Sequence, residues 1–295
     1  MKQNLKTFTV IIFASVILLG SSFQTQGVTL GIYEDGCLVP FATYDNNVNT
    51  TLELNINTES PGNRIYWSFM SEQAVQISQG FITIQSNVYS YSFYLNEADG
   101  NRYPGIQGFL IFTYDNDGIL STGEDRNILS GNAVLLNLAT DDAAFIPVVP
   151  LARSDYAATS LDLTNLTGLS ITGLSYGSVA MSLKADDCSF WIDPAYAAFT
   201  HLVIWTSQDA PPTLNGSAFT VMGDEERLVS IPMVFFRLNV CDVAQDVGGL
   251  PAGYVDGIIS IGQGGGDRFI FTLIGSEHFG ALQTFIATED PPTGY

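Results

Sequence analysis

The feature that most narrows what this chain can become is a repeated two-residue alternation of apolar and polar side chains. In "TLELNIN", Leu52, Leu54 and Ile56 alternate with Glu53, Asn55 and Asn57. In "RIYWSFM", Ile65, Trp67 and Phe69 share a parity, and in "YSYSFYL" so do Tyr89, Tyr91, Phe93 and Leu95. A period of two is the pleat of a strand with one buried face. The turn clusters "SPGN", "EADGN", "DNDG" and "LSGN" punctuate the runs. Later runs such as "HLVIWTS", "YVDGIISIG" and "DRFIFTLIG" keep the style. No window carries a long 3.6-residue stripe, and short helices are expected only at "AYAAFTHL" and "GALQTF".

Strands at short spacing with turn chemistry between them predict an all-β fold. The expectation is one or two β-sandwich-like units of mainly antiparallel strands with few short helices. Pro147 and Pro150 in "IPVVPLARSDYAATS" break pairing and mark a boundary. The expected organisation is a signal peptide over 1–27, an N-terminal β domain over 28–152 and a C-terminal β domain over 153–295.

The start supports export. Lys2 and Lys6 precede an apolar run from Thr7 to Gly20, and small and polar residues follow. That layout is a secretory signal peptide, with a cut expected just before Val28. The run is short of the roughly 20 residues a bilayer needs, and no later segment is apolar enough to span as a helix. After cleavage no membrane span is expected. The location predicted is secreted, cell surface or periplasm.

Ten basic residues against 30 acidic ones give a net charge of −20. Such a surface repels nucleic acid, which demands a basic footprint, and anionic lipid heads. It attracts cations. Three cysteines are present, and an oxidising compartment permits a disulfide. Three pairings are open. Cys188 with Cys241 is favoured, because both lie in strand-like surroundings of the second half, and Cys37 beside "LVPF" reads as a small buried side chain.

The segments "CLVPFATYDNNVNTTLELNI", "IYWSF", "HLVIWTSQDAPP" and "GALQTFIA" are together similar to a scattered set of uncharacterised exported bacterial all-β proteins. Those carry an "LVPY…D" opening strand, a "T-T-L" strand and a "HVxLWT" strand. The resemblance implies export and β architecture. The shared motifs are packing motifs, and no catalytic residue comes with them.

The densest chemistry is "YDNDGILSTGED", Tyr114 to Asp125. A twelve-residue calcium loop supplies oxygens from positions 1, 3, 5, 7, 9 and 12, with glycine at 6. With Gly118 at 6, Asp115 and Asp117 fall at 3 and 5, the Ile119 carbonyl at 7, Ser121 at 9 and Glu124 at 12. Thr113 replaces the usual acid at position 1. Asp115, Asp117 and Glu124 are therefore the candidate ligands of a weakly held Ca²⁺. The competing reading is a tight turn built on Asx hydrogen bonds and a glycine at positive φ.

Other patterns are thinner. "GLSYG" places Ser175 in a G-x-S-x-G frame, but its strand-like flanks lack the strand–turn–helix that aims such a nucleophile. His201 and His278 stand alone, outside metal-ligand spacing. "GQGGGD" lacks the lysine and helix of a phosphate loop. Asp186-Asp187 and Asp224-Glu225-Glu226 are adjacent acids, whereas glycan cleavage needs carboxyls spaced by the fold. No catalytic and no organic-cofactor residue is assigned. The chain reads as an exported non-enzymatic β protein, structural, adhesive or binding, at or beyond the cell surface, with a surface glycan or protein as partner. The alternative is an exported glycan- or ester-directed hydrolase using paired carboxylates or Ser175.

Overall fold

Alternation becomes structure most directly in β2 (Val48–Asn57), where Leu52, Leu54 and Ile56 are buried and Glu53 and Asn57 stand exposed. The computed structural model describes residues 33, 36–58, 62–115, 119–120, 128–139, 141–151, 161–162, 187–191, 199–206, 218–223, 228–232, 238–242, 256–261, 268–276 and 281–286. Among these, β2 lies in a four-stranded sheet. Its neighbours on one side are β8 (Leu129–Asn137) and then β9 (Asp142–Ile146); on the other is β5 (Val88–Tyr94).

A second sheet runs, in spatial order, β10 (Val149–Leu151), β1 (Gly36–Thr43), β6 (Gln107–Asp115), β3 (Arg64–Ser71) and β4 (Gln76–Thr83). Every pairing in both sheets is antiparallel. The chain changes sheet between β1 and β2, between β2 and β3, and between β4 and β5. The β3–β4 hairpin therefore lies across from the β2–β5 pair that brackets it in sequence, as in a Greek key.

The two sheets pack face to face through aromatic rings. Phe93 of β5 meets Trp67 of β3 edge-on at 5.3 Å and Phe112 of β6 at 5.0 Å. Edge-to-face contacts of this kind favour the positive rim of one ring against the negative face of another. Trp67 leans over β4, where a Cβ on Gly80 would stand 2.8 Å from the indole nitrogen. Glycine is what lets that ring lie flat on the strand.

Strands β1 and β6 depart from simple alternation. From Gly36 to Ala42 and from Gly108 to Tyr114 every residue is buried. At these two strands both faces of the sheet are covered. The side turned away from β2 meets the second half of the chain, where Phe109 packs edge-on against Trp205 at 5.9 Å. The Leu238 N–H donates to the Glu72 carbonyl at 3.1 Å. Val203, Trp205, Leu238, Phe269, Phe271 and Leu273 belong to the same buried cluster as Trp67 and Phe112.

The second half forms two further four-stranded antiparallel sheets. One runs β16 (Leu238–Asp242), β13 (Phe199–Thr206), β18 (Arg268–Ser276), β19 (Ala281–Ile286). The other runs β12 (Asp187–Trp191), β17 (Asp256–Ile261), β14 (Ala218–Gly223), β15 (Leu228–Pro232). A two-stranded piece joins β7 (Ile119–Leu120) to β11 (Leu161–Asp162). The fold is all-β and sandwich-like.

The helix expected at "GALQTF" is a strand: Ala281–Ile286 pairs residue by residue with β18. The spacing of Leu282 and Phe285 suits a helix, but ladder hydrogen bonds to an adjacent buried strand outweigh it. Of "AYAAFTHL", the described part, Phe199 onward, is also strand. The described helix is instead α1 (Leu95–Asp99), ended by Gly100 at φ +66°. Leu95, expected to continue the β5 strand, is its first residue. The boundary expected at 152/153 falls on 152–160, outside the described residues. Among the described residues no helix is long and apolar enough to cross a membrane.

Candidate binding surface

Among the described residues β4 and β5 are the end strands of the two sheets of the first half, and α1 touches both. Helix α1 follows directly from β5 and its last residue anchors the next loop. Asp99 is 1% exposed, yet it is an acid. Its Oδ2 accepts hydrogen bonds from the Tyr44 hydroxyl and from the N–H groups of Arg102 (3.2 Å) and Tyr103 (3.1 Å). The Tyr103 N–H also donates to Tyr44 Oη at 2.6 Å, and the Gly105 N–H donates to the Tyr44 carbonyl at 2.6 Å. Burial and the Asp99 hydrogen bond push the Tyr44 hydroxyl up to about 12. A buried acid is tolerated where donors meet it; here all three act on Oδ2, two from the turn it closes and one from Tyr44, while Oδ1 is buried without a partner.

That turn needs left-handed backbone at Gly100, Asn101 (φ +55°) and Gly105 (φ +81°). Its tip, Arg102 to Pro104, is exposed. The clamp thus holds the backbone of Arg102 and Tyr103 beside the end of β5.

The strand surfaces nearby are aromatic and hydroxylated. On the outer face of β2, Glu53 accepts hydrogen bonds from the hydroxyls of Ser90 and Ser92 on β5, the latter at 2.7 Å. Tyr89 and Tyr91 are half-buried with rings 6.1 Å apart, and Tyr94 is exposed. On β3 and β4 the Arg64 guanidinium lies 4.0 Å from the centre of the exposed Phe81 ring, and Tyr66 tilts against the same ring at 6.3 Å. These two outer faces, one on each sheet, offer ring faces and hydroxyls, beside strand edges that carry no partner strand among the described residues. They suit contact with an extended peptide or a sugar face.

The predicted site residues fall elsewhere. Asp115 is the last residue of β6, in register opposite Arg64. Thr113 is buried in the same strand. Asp117 and Glu124 lie outside the described residues. Within the candidate loop, Ile119 and Leu120 pair with Asp162 and Leu161. Cys188 sits in β12 opposite Ile259, and Cys241 is buried in β16 opposite Leu202, so the two lie on strands of different sheets. Cys37 is a buried free thiol, its pKa raised by burial. His201 stands opposite Asp242 in register. Ser175 and His278 lie outside the described residues. Among the described residues no group of three or more His, Cys, Asp or Glu gathers in one place.

Tyr44 and Asp99 were not signalled by the sequence. Asp99 belongs to a turn cluster, "EADGN", and nothing local marks a partner 55 residues away. Comparison with protein-family models, curated proteins and solved structures finds no match.

Proposed function

We propose that this all-β protein is an exported, non-enzymatic module that works by contact, with a surface glycan or a protein as its partner. The observation that supports this reading is the exposed aromatic surface of the first sandwich among the described residues: Phe81 on the outer face of one sheet, Tyr94 on the outer face of the other, and Tyr103 on a turn fixed from inside by Tyr44 and Asp99. The carboxylates described there are already engaged, Asp99 with Tyr44 and backbone N–H groups, and Glu53 with two serine hydroxyls. The proposal includes removal of residues 1–27, a Cys188–Cys241 bridge, and a weak Ca²⁺ on Asp115, Asp117 and Glu124.

The test is turnover. Mature wild type and Ser175→Ala are incubated with a panel of glycans and esters, and products are read by mass spectrometry. The proposal predicts no hydrolysis above buffer with either. Hydrolysis by wild type that Ser175→Ala abolishes would overturn it, as would hydrolysis lost on replacing Asp186 and Asp187 by Asn.

A further inference from the structure

Strand β5 has the features of a pairing surface that has not been blunted. All seven of its residues pair in unbroken register with β2, from Val88 opposite Asn57 to Tyr94 opposite Thr51. Its other edge carries no strand among the described residues. Edge strands are normally protected by charge, proline, a bulge or shortness. "VYSYSFY" has no charge, no proline and no glycine. Most other edges are blunted: β4 has a bulge opposite Phe69 and Met70, β10 is three residues long, β15 ends in Pro232, and β9, β12 and β16 carry Asp142, Asp187 and Asp242; β19, "ALQTFI", shares the uncharged character of β5 but is one residue shorter. On β5, Val88 is 78% exposed and Tyr94 42% exposed. Ser90 and Ser92 are exposed, and Tyr89 and Tyr91 are half-exposed.

The sequence of this strand is close to a palindrome about Tyr91. Laid antiparallel on a second copy, Tyr91 meets Tyr91, Ser90 meets Ser92, Tyr89 meets Phe93 and Val88 meets Tyr94. Ser90 meets Ser92 and Val88 meets Tyr94 on the outer face, and rings meet rings on the inner face. A two-fold interface requires this self-complementarity, because one patch must fit itself. The charge on the adjoining strand, Glu53, is bonded to Ser90 and Ser92 of its own copy. We infer that β5 pairs with β5 of a second copy about a two-fold axis, joining two four-stranded sheets into one of eight. This deepens the proposed function and rests on it, naming a second copy of this chain as one protein partner.

Two properties follow. A seven-residue pairing makes a small interface, so the dimer is weak and concentration-dependent. The full chain carries a charge of −20 and loses Lys2 and Lys6 with the proposed signal peptide, so repulsion between mature copies opposes pairing and added salt strengthens it.

The experiment is sedimentation of the mature wild type over a concentration series at low and high salt, with thiol cross-linking of variants. The expected result is a rise from monomer to dimer mass, shifted to lower concentration by salt. Under mild oxidation Tyr91→Cys should form a covalent dimer, since directly opposed residues bring their Cβ atoms to about 4.5–5.5 Å. Val75→Cys, exposed near the other edge, should not. Ser90→Lys with Ser92→Lys should remain monomeric. A wild type that stays monomeric at every concentration and salt overturns the inference without any variant having to fold. So do open-ended fibres without a discrete dimer, and cross-linking of Val75→Cys equal to that of Tyr91→Cys. A monomer that hydrolyses nothing leaves the proposed function intact, and a dimer that hydrolyses a substrate overturns that function alone.

Discussion

Tyr44 and Asp99 are the pair on which the geometry of the turn carrying Tyr103 depends. Removing the hydroxyl in Tyr44→Phe leaves Asp99 Oδ2 with two backbone donors and strips one acceptor from the Tyr103 N–H. The loss should be about 1–3 kcal/mol, the range for a buried polar group deprived of its partner, read as a lower denaturant midpoint. The pH dependence has a definite sign. The folded hydroxyl sits near 12 against an ordinary 10.0, so the unfolded chain gives up its proton first as pH rises. This contribution is complete below about pH 10 and lost between about pH 10 and 12. Tyr44→Phe should flatten that part of the stability profile; an unchanged alkaline slope would contradict the clamp. None of this was legible beforehand. Asp99 looks like any turn acid, and Gly80 looks like any glycine until Trp67 is seen lying on it.

Elements were more legible than residues, where one face is wet. β2 and β3 carry their burial in their alternation: Leu52, Leu54 and Ile56 are buried, as are Ile65, Trp67 and Phe69. The pattern fails where both faces are covered, since Ser68 and Met70 on the opposite face of β3 are buried too. Periodicity also misassigned "GALQTF", because two apolar residues at helical spacing say nothing of a neighbouring strand that will pair with them. The acidic loop belongs to this scale. Its two middle residues pair with Leu161 and Asp162, and Asp115 enters it from a strand position opposite Arg64. With Thr113 in place of the usual first acid, the proposed Ca²⁺ affinity is on the order of 10⁻⁴–10⁻³ M. Calcium at about 100 times that constant should stabilise the fold by roughly 2.7 kcal/mol. In thermal melts, wild type should gain more from Ca²⁺ than from Mg²⁺, and Asp117→Asn and Glu124→Gln should lose the excess. Equal gains with both ions in all three proteins would leave only charge screening and reduce the loop to a turn.

In the whole molecule the sheet of β1 and β6 is the middle layer. It is covered on one side by the sheet of β2 and on the other by Trp205 and its neighbours. The all-β class was readable from alternation and turns, whereas this layering was not. It depends on Phe109 meeting Trp205 and on Glu72 meeting Leu238, contacts between residues far apart in sequence that no local pattern announces. Among the described residues, no strand pairs with the outer edges of β4 and β5. Hydrogen exchange of the intact mature chain, at a concentration low enough to keep it monomeric, tests this arrangement most directly, because amide protection follows burial and pairing. Amides of β1 and β6 should exchange slowest, and the outward-facing amides of β5 should exchange fast and become protected as concentration and salt rise. Protection of β5 equal to that of β6 at the lowest concentration would contradict it, for the edge would then be covered within a single chain.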